Sequence, residues 1–183
     1  MEHADEMVDL LADRRLYAFY DDEASPTLDE LRLRYARQSA GRSPDGREIW
    51  HNWIVRVRET GQVAGFVQAT VGATAGTSSA GADTAATPFD GASSAELAWV
   101  IGTSFQKRGY ATEAVAAVAT AVRGPDSLTG DDVELVHAHI APGNLASQAV
   151  ARRLGLVPTS VVVDGETRWQ LPRAAAPAGV TSP

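Results

Sequence analysis

Residues 95 to 123 place a strand, a glycine-bearing loop and a helix in immediate succession. Glu96-Leu97-Ala98-Trp99-Val100-Ile101 reads as a strand. The loop is Gly102-Thr103-Ser104-Phe105-Gln106-Lys107-Arg108-Gly109-Tyr110-Ala111. Val115, Val118, Ala119 and Val122 then recur at offsets that stack on one helix face. Gly124-Pro125 stops the pattern, because glycine suits a helix cap and proline cannot continue the hydrogen-bond ladder.

A strand feeding a small-residue loop into a helix N-terminus is a device for holding phosphate. The first N–H groups of a helix have no acceptor within the helix, and the helix dipole adds partial positive charge there. Gly109 permits close backbone approach, Ala111 keeps the rim low, and Lys107 and Arg108 add cationic side chains. The loop has neither G-x-x-x-x-G-K-[ST] nor the three glycines of a dinucleotide fingerprint. Spacing alone therefore supports a generic phosphate cradle, or an ordinary junction with a packing glycine.

The flanking chain sets the fold class. Residues 4 to 20 read as a helix with Met7, Leu10, Leu11 and Leu16 on one side, followed by the acidic loop Asp21-Asp22-Glu23. Thr27 and Glu30 form a capping-box pair at the start of a second helix, whose apolar positions are Leu28, Leu31 and Tyr35. Ile49 to Arg58 alternates as a strand, and a glycine-containing turn at 59–62 returns it through Val63 to Val71. Gly72 to Ser94 is almost all Ala, Gly, Thr and Ser, which predicts a flexible insertion. After the central helix and a polar loop from Ser127 to Asp132, Val133 to Ile140 reads as a strand. Val136, Ala138 and Ile140 share one face, with His137 and His139 on the other. A helix from Leu145 to Leu154 follows, with Asn144 as N-cap and Gly155 at its end. Pro158 separates it from a strand at 161–163, and Asp164-Gly165 turns that strand back through Thr167 to Leu171. The order implies an α/β fold with a mixed sheet, one domain over residues 1–171, and a disordered tail from Pro172.

Composition removes several function classes. The chain has 183 residues, is 44% hydrophobic, and carries a formal net charge of -7. The charge argues against a nucleic-acid-binding surface, which would show a basic stripe. Neither a membrane-spanning apolar run nor a secretory leader is evident, so a cytoplasmic protein is expected. Cysteine is absent, which excludes disulfides, thiolate metal sites and acyl-cysteine chemistry. No ligand set has metal spacing along the sequence, and no metal is expected.

Gln106-x-x-Gly109-x-Ala111 after the Glu96–Gly102 strand resembles the acyl-CoA pyrophosphate loop of the GCN5-related N-acetyltransferases, the GNAT family. Gly65-Phe66-Val67, the Ala95–Gly102 strand and the Gln106–Ala114 run resemble the branch that includes ribosomal-protein alanine N-acetyltransferases. The resemblance extends over residues 55–171, and Asn144-x-x-Ser147 with Arg153-Leu154-Gly155-Leu156 is similar to a second family motif.

The resemblance implies a GNAT-type sheet flanked by helices. The family fold normally opens with another strand, and since this chain begins almost directly at a helix, a sheet without that first edge strand is expected. It implies acetyl-CoA as co-substrate and direct transfer to an amine, either a protein N-terminus or a small molecule such as an aminoglycoside-like polyamine. A non-catalytic CoA-binding module is the alternative, and a homodimer is a possible assembly. The first two helices would lie beside the acceptor. The strands carrying Val100 and His139 would splay apart to admit pantetheine. A backbone N–H near Val100 or Ile101 would polarise the thioester carbonyl, while Gln106 to Ala111, Asn144 and Ser147 would hold the cofactor. Glu96 is the first candidate for proton acceptor and His139 the second; Ser147 could assist the leaving thiolate. The family's usual tyrosine acid, seven positions after the motif Asn, is replaced here by Ala151.

Overall fold

The computed structural model describes residues 3–19, 25–73, 93–123 and 133–172. Their elements follow in the order α1 (His3–Leu11), α2 (Leu28–Gln38), β1 (Glu48–Arg56), β2 (Val63–Ala73), β3 (Ser93–Ile101), α3 (Tyr110–Ala121), β4 (Val133–Ile140), α4 (Leu145–Arg153), β5 (Val157–Val163) and β6 (Glu166–Gln170). The strands form one mixed sheet in the order β1-β2-β3-β4-β6-β5. β3 and β4 pair in parallel, bridged in sequence by α3, and the other neighbours pair antiparallel. Among the described residues no strand precedes α1, and β1 ends the sheet.

Alternation along the strands sends their side chains to two different layers. Val67, Ala69 and Val71 of β2, Ala95 and Leu97 of β3, and Val136 of β4 pack with Val115, Val118 and Val122 from α3 and the residue after it. Ala138, Ile140 and Trp169 continue that face against Ala151 of α4. On the opposite face Ala4, Met7 and Leu11 of α1 and Leu31 of α2 cover Ile54, Phe66 and Val100. His137 and His139, out of phase with Val136 and Ala138, therefore turn toward the side covered by α1 and α2. The α2 start is the capping box expected from Thr27 and Glu30, with both reciprocal hydrogen bonds made.

Three local expectations are corrected. The helix expected over residues 4 to 20 ends at Leu11, and a 3-10 turn spans Arg14–Tyr17. Asp13 accepts a hydrogen bond from the Arg15 N–H, a local side-chain bond that competes with helix, and the Tyr17 hydroxyl donates to the Leu11 carbonyl at 2.9 Å. Pro158 lies inside β5 rather than before it, which the sheet tolerates because β5 is an edge strand. The expected insertion is shorter at both ends, since Gly72 pairs with Ser94 and Ala73 with Ser93. The rest of that segment lies outside the described residues. So do the Asp21-Asp22-Glu23 loop, Gly124-Pro125, the 127–132 loop and the tail beyond Pro172.

Gly65 holds β2 against the end of β3. A Cβ there would lie 2.0 Å from the Val100 carbonyl oxygen and 2.9 Å from the Ile101 Cα, both backbone atoms fixed by sheet pairing. Gly65→Ala is expected to destabilise the protein by about 3 kcal/mol, the upper range for overpacking a filled interior. That corresponds to a midpoint lowered by roughly 6–12 °C in thermal melting. Gly46→Ala, where the added atom meets nothing within 4 Å, should cost only about 1 kcal/mol through its positive φ.

Candidate active site

β3 and β4 pair from Ser93↔Val133 to Glu96↔His137 and no further among the described residues. Both strands continue beyond that point, so they run on as an unpaired fork. A cleft of about 270 Å³ opens there, and its walls include Ala98, Val100, His139, Asn144 and Ser147. The backbone of β3 has a definite polarity at the fork. Gly102 N–H donates to the Ala64 carbonyl of β2 at 2.9 Å, and antiparallel pairing alternates hydrogen-bonded and non-hydrogen-bonded residues. Val100 therefore turns its N–H toward β2, whereas Ile101 and Trp99 turn theirs toward the gap. The Ile101 side chain is buried, so only its backbone can serve the cleft.

At the mouth of the fork the chain makes the turn into α3. Gly109 is the N-cap with φ 90°, and Lys107 is also left-handed at φ 62°. These two residues curl the loop so that the first turn of α3 opens outward, and a Cβ at Gly109 would meet no atom within 4 Å. Gln106 donates from Nε2 to the Ile101 carbonyl at 3.0 Å, fastening the loop to the end of β3. Lys107 and Arg108 are exposed, and the Arg108 guanidinium lies 6.0 Å from the centre of the Phe105 ring. Tyr110 and Ala111 form the half-buried first turn of the helix. Opposite, Asn144 caps α4 by accepting from the Ser147 N–H at 3.0 Å.

Three titratable side chains meet where the strands part. Glu96 Oε1 lies 2.9 Å from His139 Nδ1, and Glu96 Oε2 lies 4.0 Å from His137 Nε2. The two imidazoles are edge-on, 5.3 Å apart. The hydrogen bond with His139 holds the Glu96 carboxyl below the usual range against the opposing effect of burial. Burial pushes His137 down to about 4, outweighing the attraction of Glu96. Glu96 keeps 45% of its side chain exposed, whereas His137 keeps 10%. A solvent-reachable carboxylate backed by two imidazoles can accept a proton, attract an ammonium group, or bind a cation.

The match to a family model described as "Acetyltransferase (GNAT) domain" covers residues 1–157. The chain belongs to the GNAT acetyltransferase family. Such enzymes take their acetyl group from acetyl-CoA. No curated protein matches it in sequence. Among solved structures, a protein described as a GnaT-family acetyltransferase from Bordetella pertussis is 24% identical, with a TM-score of 0.58 over 93% of this chain and 88% of that one. The ribosomal alpha-N-protein acetyltransferase RimL, in complex with coenzyme A, is 14% identical, with a TM-score of 0.61 over 92% and 88%. An aminoglycoside acetyltransferase with coenzyme A and kanamycin is 15% identical, with a TM-score of 0.64 over 94% and 90%. What these proteins share with the present GNAT chain at such identities is the fold.

Two features of this GNAT site were not visible in the sequence. One is a second cavity of about 460 Å³ between α1, α2 and β1, lined in part by Tyr35, Trp50 and Trp53. It shares Leu11, Arg34, Phe66 and Gln68 with the cleft at the fork. The other is a latch from the end of α1 to the loop. Thr103 Oγ1 donates to Asp13 Oδ2, and Arg15 Nη2 donates to Thr103 Oγ1 at 2.8 Å. A capping pattern at Asp13 was available as a signal, but nothing in chain order pointed to Thr103. Gly109→Val should remove stabilisation of the protein by acetyl-CoA, while Gly165→Val should retain it. Both positions have positive φ and open space, so they share the backbone strain; only Gly109 caps the helix at the fork. Thermal melting of the two variants with and without acetyl-CoA reads the difference.

Proposed function

We propose that this protein transfers an acetyl group from acetyl-CoA directly to a primary amine, with the fork between β3 and β4 as the reaction site. The observation that carries the reading is the end of β3–β4 pairing at Glu96↔His137, with the left-handed Gly109 cap at the mouth of the opening. The gap-facing N–H groups of Ile101 and Trp99 suit a polarised thioester carbonyl, refining the expected position near Val100 or Ile101 by strand alternation. The first turn of α3 from Gly109 to Ala111, with Lys107 and Arg108 beside it, suits the pyrophosphate. Gln106 acts by holding the loop, and Asn144 and Ser147 face the pantetheine arm.

Acetyl-CoA supplies a carbonyl carbon that forms a bond to the amine nitrogen as its carbon–sulfur bond breaks. The nitrogen must lose a proton and the departing sulfur must gain one. Glu96, ionised and reachable, takes the first directly or through water, and His139 orients it through the 2.9 Å contact. Ala151 is fully buried in the α4 core and carries no acidic proton, so the Ser147 hydroxyl is the residue assigned to the sulfur. The acceptor enters between α1, α2 and the sheet, where the two cavities share walls. Cytoplasmic acetyl-CoA is the natural donor pool; among the described residues no helix is long and apolar enough to cross a membrane.

Acetyl-CoA at about 100 times its dissociation constant should stabilise the protein by about 2.7 kcal/mol, a midpoint shift of roughly 5–11 °C. The absence of any shift at millimolar ligand would remove the cofactor assignment. A panel of N-terminal peptides and small amines, assayed for coenzyme A release, then separates the two acceptor classes. Glu96→Gln should lower turnover on the acceptor so found by about 100-fold or more, with the acetyl-CoA shift retained. Turnover equal to the parent protein would take Glu96 out of the mechanism.

A further inference from the structure

We propose that Glu96, His137 and His139 form a binding site for one divalent transition-metal ion of the zinc, cobalt and nickel group, and that its occupation blocks acetyl transfer. Their ligand atoms already lie within 4.8 Å of one another, with Glu96 at 2.9 Å and 4.0 Å from the two imidazoles. Donor atoms bound tetrahedrally to zinc at about 2.0–2.1 Å sit roughly 3.4 Å apart, so these separations bracket the required spacing. Two imidazoles and one carboxylate make a mixed N/O donor set that suits transition metals rather than calcium or magnesium. His137 and His139 are two residues apart on β4 and project from one face, and β3 supplies the carboxylate at the same level. The exposed edge of Glu96 leaves the remaining coordination positions open to solvent.

A second observation concerns groups behind the cluster. His137 Nδ1 and Gln170 Oε1 are both buried without a hydrogen-bond partner, and His137 and Gln170 are directly paired across β4 and β6. When Nε2 binds a metal, the ring proton must reside on Nδ1, which then becomes a donor. Gln170 Oε1 is an acceptor on the same face. Metal ligation at Nε2 thus fixes one tautomer of His137, the one with its donor on Nδ1. A bound ion occupies the carboxylate that accepts the amine's proton, so inhibition follows from the proposed role of Glu96; binding itself does not depend on that role.

The test uses the full chain without acetyl-CoA, titrated with Co2+ and then Zn2+. One equivalent of Co2+ should bind with visible bands of nitrogen and oxygen coordination and be displaced by Zn2+. His137→Gln and Glu96→Gln should each weaken binding by about 100-fold or more, since loss of even an outer partner commonly costs 10–100-fold. In the parent protein the Zn2+ concentration that halves acetyl transfer should match the dissociation constant. No binding below millimolar metal, or binding unchanged in both variants, overturns the site. Binding without inhibition overturns the block and leaves acetyl transfer itself untouched. If His137→Gln does not fold, the parent Co2+ spectrum decides: sites that lack imidazole nitrogen give a pale octahedral spectrum, which would sink the assignment.

Discussion

The parting of β3 and β4 is the constraint on which the rest of the site depends. Two parallel strands that stay paired would spend their backbone groups on each other and leave no room between them. Here pairing holds from Ser93 to Glu96 and then stops, while each strand is kept in place from its far side. β2 pairs with β3 through Ile101, and β6 pairs with β4 through Ile140, so the fork is braced by antiparallel neighbours. The close approach at Gly65 is part of that brace, because it fixes β3 at the level of Val100 and Ile101. The result is an opening whose backbone donors are held by the sheet, which is what the proposed contact to a developing oxyanion calls for.

The charged cluster lies at the apex of the same fork, where β3 and β4 make their last paired contact. Glu96 and His137 are register partners, and His139 reaches back to Glu96 from two residues farther along. Burial and charge act differently on the members. His137, deepest in the sheet face, is held neutral by desolvation, whereas Glu96 at the rim is held ionised by its hydrogen bond. A carboxylate held below its ordinary range is a weak base toward an ammonium ion. The proton removal proposed for it therefore rests on proximity and on relay through water more than on proton affinity.

Elements with local signals were legible in the sequence. The Thr27–Glu30 box, the alternation of Val136, Ala138 and Ile140 against the two histidines, and the Asp164-Gly165 turn stand where the residues alone placed them. The loop before α3 was legible because glycine, cations and a helix start occur in one short run. What could not be read depended on pairing between distant segments. Glu96 and the histidines belong to different strands, so their meeting requires the parallel register. Thr103 meets Asp13 only once α1 is folded over the sheet. Pro158 misled because proline usually marks a boundary, and only the strand order shows that β5 is an edge where it is tolerated.

The two halves of the site come from different parts of the chain. Residues of β3 and β4 and the start of α4 line the cleft at the fork, and Gln106 ties the turn into α3 to the end of β3. Walls from α1, α2, β1 and β2 frame the second cavity. The halves touch at Phe66 and Gln68 on β2 and at the latch between Asp13, Arg15 and Thr103. Gly102 adds to the latch, since a Cβ there would press on the Leu10 side chain at 2.9 Å. Tyr35 and Trp50 give the α1–α2 side aromatic walls, and Arg34 places a cation in the wall it shares with the cleft at the fork.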